Sequence, residues 1–228
     1  MASDGGIAVG DVVLRPYEPA DRAEVRRICF DTGYMGEPEW QWRDRESFAD
    51  LYTAYYTDAE PQSAIVAERG GVVEGYLLGC LDSGRAWSEA ATFVRLLRRR
   101  WIAVRPSTAR FVWRSFADVA RDRLRGRPLP EPVRDDRWPA HLHIDLLPAI
   151  RGRGVGAAML RMWLARLEDA GVAGCHVQTL AENTRAVAAF ESVGFERRGD
   201  PVLVPGLRTR RGARHHVQLL TRGVAAVS

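Results

Sequence analysis

The stretch that decides the fold is HLHIDLLPAIRGRGVG, residues 141–156. Its first half alternates. Leu142, Ile144 and Leu146 fall on one side of an extended chain, with His141, His143 and Asp145 on the other, and this pattern predicts a strand. Pro148-Ala149-Ile150 breaks the alternation, and Arg151 to Gly156 reads as a glycine-rich turn. A helix is expected from there to Asp169, with Gly171 as its stop. Its apolar residues, Val155, Met159, Leu160, Met162, Trp163, Leu164 and Leu167, cover most of its circumference, so it must be deeply packed. A strand, a glycine turn and a buried helix in that order aim unpaired backbone N–H groups at one point. The helix dipole adds about half a positive charge there, so the place suits a phosphate. Glycines let the amides approach the anion with no Cβ in the way.

Working outward, Val12 to Arg15 reads as a short strand, and Pro16 to Asp21 turns the chain into a helix capped by Asp21, with Val25, Ile28 and Cys29 inward. A second helix carries Phe48, Leu51, Tyr52 and Tyr55 on one stripe and ends at Glu60-Pro61. The apolar runs 63–68 and 72–81, joined by Arg69-Gly70-Gly71, predict an antiparallel hairpin. Residues 84–140 read as a helical insertion holding four of the seven tryptophans (Trp87, Trp101, Trp113, Trp138) and the run Arg98-Arg99-Arg100. Helices are expected over about 88–104 and from a Ser107 cap to Gly126. The second places Trp113, Phe116, Ala120 and Leu124 on one stripe. This insertion is either a pair of surface helices laid on the sheet or a lid over a substrate channel. Cys175 to Leu180 and His215 to Leu220 predict further strands, and Asn183 to Val193 a helix closed by Gly194. The expected organisation is a disordered tail over residues 1–11 and a single domain over 12–228.

Composition narrows the function. The chain has 228 residues, 46% hydrophobic and 27% charged, a globular balance. No run approaches the roughly 18 to 20 apolar residues of a membrane helix, and Met1 to Gly10 lacks a secretion signal, so a cytoplasmic protein with no membrane partner is expected. Cys29, Cys80 and Cys175 lie far apart with no metal-ligand spacing, so no metal is expected. All 33 Lys+Arg positions are arginine, and the net charge of +4 is too small for a dedicated nucleic-acid binder. Gly152, Gly154 and Ala157 also fit the G-x-G-x-x-G/A pattern of dinucleotide folds. Against that reading, the loop follows an antiparallel hairpin, and no acidic residue ends a strand about 20 residues on. A phosphate loop of the GK[ST] kind is excluded by the absence of lysine.

Leu146-x-Pro148 followed by Arg151-x-x-Gly154-x-Gly156 resembles motif A, the pyrophosphate loop, of the GNAT superfamily of N-acetyltransferases. Leu14-Arg15-Pro16 with Ala20-Asp21 resembles that family's opening strand and helix, and Asn183-x-x-Ala186-Val187 leading to Gly194-Phe195 resembles its motif B. Ile28-Cys29-x-x-Thr32-Gly33, the tryptophan-rich insertion and His143 to Pro148 are most similar to the acetyltransferase-like domain of bifunctional O-GlcNAcases and its free-standing bacterial relatives.

The resemblance implies an α+β GNAT fold: a mixed, mostly antiparallel sheet with a V-shaped splay, helices on both faces and a helical insertion. It also implies acetyl-CoA as cosubstrate. Free main-chain groups of Leu146 and Leu147 would pair with the pantetheine amides. The amides of Arg151, Gly152, Arg153, Gly154, Val155 and Gly156 would hold the pyrophosphate, the Arg151 and Arg153 side chains adding charge. Asn183, at the mouth of the next helix, would hold the pantetheine arm or merely cap that helix. Ala186 belongs to the same motif, and Phe190 would face the thioester. An ammonium of pKa about 10.4 must lose a proton before it attacks. Asp145 and His143 are the candidate bases, with His141 two residues earlier; His141-Leu142-His143 resembles the paired-histidine strand of arylalkylamine N-acetyltransferases. Where many GNAT members carry a tyrosine that protonates the departing thiolate, this chain has Phe190. The expected function is N-acetyl transfer from acetyl-CoA to a small-molecule or peptide amine by direct attack, in a monomer or homodimer. The alternative is an acetyl-CoA-binding pseudo-acetyltransferase or sensor that presents its Arg/Trp-rich insertion to a protein partner. His215 and His216, being adjacent, are expected on opposite faces and read as structural.

Overall fold

The computed structural model describes residues 6–224. Eight strands, β1 (Ile7–Val9), β2 (Val12–Pro16), β3 (Ala64–Arg69), β4 (Val72–Cys80), β5 (Ala140–Leu146), β6 (Gly174–Leu180), β7 (Glu196–Arg208) and β8 (Arg214–Gly223), form one sheet in the order β1-β2-β3-β4-β5-β6-β8-β7. Every neighbouring pair is antiparallel except β5 and β6. Those two are parallel and joined only through Ala140↔Cys175 and His141↔His176. Beyond His141 the strands part, which is the splay expected from the sequence.

Helices cover both faces. α1 (Arg22–Thr32) and α2 (Arg45–Asp58) pack on one side over a core that includes Val25, Ile28, Cys29, Tyr76 and Leu78. On the other side α5 (Val155–Asp169) buries Met159, Leu160, Trp163 and Leu167 with Leu142, Val177 and Phe190. α6 (Thr184–Glu191) follows, its Val187 and Phe190 in the same core. The all-round apolar α5 is explained by that burial: Trp163 and Leu167 are fully enclosed. All three cysteines are free and buried. No described helix is long and apolar enough to cross a membrane.

Three expectations need correction. Residues 7–9 of the expected tail form β1, paired with Val12–Leu14 through a tight turn at Gly10; residues 1–5 of that tail lie outside the described residues. The insertion helices are α3 (Glu89–Arg100), capped by Ser88 and ended by Trp101 in the left-handed region (φ 54°), and α4 (Ala109–Leu124), which starts after Thr108 rather than Ser107. The stripe Trp113, Phe116, Ala120, Leu124 points outward, not into the protein: Trp113 is 62% exposed and Leu124 90%. The inward face of α4 carries Val112, fully buried in the core, and beyond it two buried carboxylates. Asp118 accepts from the Gly206 backbone N–H (2.9 Å) and Arg208 (2.7 Å), and Asp122 accepts from Arg214 at 2.8 and 2.5 Å. These buried carboxylates fasten the insertion to the β7–β8 hairpin. Hydrophobic periodicity is blind to a helix that docks through ion pairs.

Candidate active site

The site is built where β5 leaves β6. A cavity of about 1330 Å³ passes through the gap, lined on one side by Gly152, Gly154, Gly156 and Ala157 and on the other by α2, β4 and β5. It exceeds the roughly 300–1,000 Å³ of a typical single-ligand pocket.

At the α5 end, Gly154 is the helix cap and sits at φ +81°, and Gly152 at +71°, backbone that side-chain-bearing residues adopt only with strain. The first intrahelical bond is Ala158 N–H to Gly154 O (3.0 Å), so the N–H groups of Gly154, Val155, Gly156 and Ala157 have no partner inside the helix. Ala157, which the sequence offers only for the dinucleotide pattern, joins the expected amides because the helix starts at Val155. Arg151 departs from expectation twice. Its own N–H is turned back to Pro148 O (3.3 Å), and its guanidinium donates to Leu146 O (2.7 Å) and Gly36 O (2.8 Å). Arg153 turns away and pairs with Asp11 at 2.9 Å. Arg185, not singled out from sequence, joins Arg151 in holding the loop after α1, donating to Met35 O (3.1 Å). Gly36 tolerates both guanidiniums because it has no Cβ to meet them, and its φ is +88°.

Along β5 the splay leaves one edge without strand partners after His141. Leu147 is not part of that edge: its N–H donates to Glu74 O (2.8 Å), and its side chain packs on the α1–α2 side. Antiparallel ladders alternate, so Leu146 N–H and C=O face the gap, the carbonyl already accepting from Arg151. Val155 sends its side chain into the core. Asn183 caps α6, its Oδ1 accepting from Ala186 N–H (3.3 Å), and Ala186 lines the cavity beside it. Phe190 is buried against Phe195, with ring centroids 5.6 Å apart, and borders the cavity.

On the opposite face of β5, His141, His143 and Asp145 all line the cavity. His141 is locked between Ser83 Oγ (2.6 Å from Nδ1) and Tyr56 Oη (2.7 Å from Nε2), and burial pushes its pKa down to about 3. His143 lies edge-on to Tyr52 and Tyr56, and burial lowers it to about 4. Both are neutral at pH 7. Asp145 behaves in the opposite sense: burial pushes its carboxyl up to about 6, held from rising further by the Tyr76 hydroxyl, which donates at 2.6 Å, by Thr32 and by Arg151. His215 and His216, expected on opposite faces, both reach Glu182, through Nδ1 at 3.1 and 2.9 Å. Among the described residues no cluster of metal-ligating side chains exists.

A sequence model of the acetyltransferase (GNAT) family matches residues 29–195. The chain belongs to this family, and with it to the acetyltransferases that use acetyl-CoA. Among solved structures, SsHAT is 28% identical over 95% of this chain and 100% of its own, with a TM-score of 0.61. The phosphinothricin acetyltransferase of Sinorhizobium meliloti, solved with AcCoA, is 16% identical over 95% of this chain and 90% of its own, TM-score 0.56. The protein yncA of Salmonella typhimurium, solved with acetyl-CoA, is 15% identical over 95% of each chain, TM-score 0.56. At those identities the last two share the fold alone.

Proposed function

We propose that the protein transfers the acetyl group of acetyl-CoA to the nitrogen of a primary amine by direct attack, with Asp145 as the base. The observation that carries this reading is the parted β5–β6 edge meeting the unpaired amides of α5 in one cavity. The amides of Gly154 to Ala157 and the helix dipole suit a diphosphate. The open edge at Leu146 suits the amides of a pantetheine arm, paired as an added strand would be, and the Asn183 amide NH2 remains as a further donor. Acetyl-CoA supplies an activated acyl group as a thioester. The amine arrives as an ammonium and gives one proton to Asp145, whose pKa near 6 leaves it ionised yet basic at neutral pH. The freed nitrogen lone pair forms the C–N bond while the C–S bond breaks. The second nitrogen proton goes to the departing thiolate, whose ordinary pKa of about 8.5 makes it a tolerable leaving group without the tyrosine that Phe190 replaces. Asp145 is preferred to His143 because an imidazole of pKa about 4 is a much weaker base. The Arg153 side chain, paired with Asp11, plays no direct part in this scheme.

The relation to the acetyltransferase-like domain of O-GlcNAcases rests on Ile28-Cys29-x-x-Thr32-Gly33, the tryptophan-rich insertion and His143 to Pro148 and belongs to this proposal. A second reading, a cofactor-binding sensor, draws support from the exposed Trp101 (67%), Trp113 (62%) and Leu124 (90%) of the insertion. Titration calorimetry with acetyl-CoA and thiol release over an amine panel separate the two. Binding with turnover supports the enzyme, binding with no turnover on any amine supports the sensor, and absence of binding overturns both.

A further inference from the structure

The cavity contains a wall that binding of the coenzyme does not use. Six rings follow one another along it: Trp87 to Tyr55 (centroids 5.7 Å), Tyr55 to Tyr56 (5.4 Å), Tyr56 to His143 (5.5 Å), His143 to Tyr52 (6.0 Å) and Tyr52 to Phe48 (4.8 Å). All six line the cavity. Two of the phenol groups are committed elsewhere, Tyr55 to Glu60 Oε2 (2.9 Å) and Tyr56 to His141, so a guest meets ring surface there. Phe48, Tyr52 and Tyr55 of the expected α2 stripe, with Tyr56, border the cavity, Phe48 and Tyr56 being at the same time part of the core behind it.

This wall leads to Asp145, which lies two residues beyond His143 on the same face of β5. Asp145 has no ion-pair partner among the described residues, its nearest polar neighbours being the Tyr76 hydroxyl at 2.6 Å and Thr32. Of the arginines that line the cavity, Arg151 is near enough to Asp145 to hold its carboxyl down, but its guanidinium is spent on Leu146 O and Gly36 O. Arg151 and Arg185 hold the loop after α1 at the coenzyme side, and Arg134 belongs to the connector 130–136. At the exposed end of the row the Arg95 guanidinium lies over Trp87, 5.0 Å from its centroid, though Arg95 does not itself line the cavity; beside the other five rings no arginine is among the described lining residues except Arg151, Arg185 and Arg134. The negative faces of aromatic rings attract an ammonium within about 6 Å, and they do so more strongly where water is excluded. A carboxylate lying against the rings between Tyr55 and Phe48 would shed its hydration with the nearest lining guanidinium, Arg151, already bonded to Leu146 O and Gly36 O, and would approach Asp145, a like charge.

We infer that the acceptor is a primary amine on an apolar alkyl or aryl body that carries no carboxylate, its ammonium guided along the rings to Asp145. The inference rests on the acetyltransferase reading, which supplies the transfer step already written. It makes Tyr52, whose ring sits between Phe48 and His143, a specificity-determining residue.

The test is titration calorimetry on the full chain. Coenzyme A is titrated first, then the saturated protein receives 2-phenylethylamine against phenylalanine, and pentylamine against norleucine, pairs that differ only by the carboxylate. Each amine is expected to bind at least about tenfold tighter than its amino acid. Tyr52→Leu should weaken amine binding by roughly three- to thirtyfold while Tyr52→Phe stays within about twofold, with coenzyme A affinity unchanged in both. Amino acids binding as tightly as their amines would overturn the inference, and so would amines that fail to bind a protein saturated with coenzyme A. Failure of coenzyme A itself to bind is a different result, seen in the first titration, and it overturns the acetyltransferase reading and this inference with it.

Discussion

Asp145→Asn separates chemistry from folding, because the two respond in opposite directions. The carboxyl is raised from 3.8 to about 6 by burial. The groups facing it are Tyr76 from β4, Cys29 and Thr32 from α1, Arg151 from the turn and His143 on its own strand. Burial holds the Tyr76 phenol and the Cys29 thiol protonated, and His143, lowered to about 4, is neutral above pH 5. Asp145 is therefore the group in this cluster that titrates between pH 5 and 7, going from about one-tenth to about nine-tenths ionised. Wild-type kcat/KM should rise about tenfold over that range, apart from the substrate amine's own limb near pH 10. The asparagine variant should lose that limb and about 10²- to 10⁴-fold in kcat, with little change in acetyl-CoA affinity. Stability should move the other way. The folded protein holds this proton more tightly than the unfolded chain, so stability falls as pH rises from about 4 to 6, and the full cost, about 3 kcal/mol, persists above 6. Removing the charge should raise the midpoint of urea unfolding at pH 7, while near pH 4 the two proteins should converge. Stopped-assay CoA release and urea titrations at several pH values read both quantities. A variant retaining half its activity, or a wild-type profile flat from pH 5 to 7, would refute the assignment of the base.

Gly154→Asp should reduce acetyl-CoA affinity by at least about a hundredfold, because it would place a carboxylate at the proposed diphosphate site and strain a φ of +81°. Gly154→Asn, which tolerates that backbone better and carries no charge, should lose less, and equal losses measured by calorimetry would point to strain rather than the anion site. Phe190→Tyr should raise kcat several-fold if protonation of the thiolate limits turnover, and an unchanged kcat in steady-state assays would show that the thiolate departs unaided. Gly79→Ala should lower stability by about 1–3 kcal/mol or more, since the added Cβ would overlap the fully buried ring of Trp163; an unchanged thermal midpoint would contradict that packing.

The sequence made legible what depends on local pattern. The alternation of Leu142, Ile144 and Leu146 against His143 and Asp145, the glycines at 152 and 154 and the all-round apolar α5 each follow from near neighbours along the chain, and the architecture agrees. What escaped depends on partners distant in sequence. Arg151 is drawn to Gly36 O across 115 residues, Arg214 reaches Asp122 across 92, and Leu147 is claimed by Glu74. No periodicity records such pairings. The six-ring wall was hidden for the same reason: Trp87, Tyr55 and His143 come from three separate segments, and the fold alone lines them up.

The sheet is sewn across its middle by only two stitches, Ala140 to Cys175 and His141 to His176. A guest inserted beside Leu146 would act as a missing ninth strand, knitting the β1–β5 half to the β6–β8 half. Peptide hydrogens bordering the seam should then exchange with deuterated solvent far more slowly when it is filled than when it is empty, and heat resistance should climb with ligand concentration.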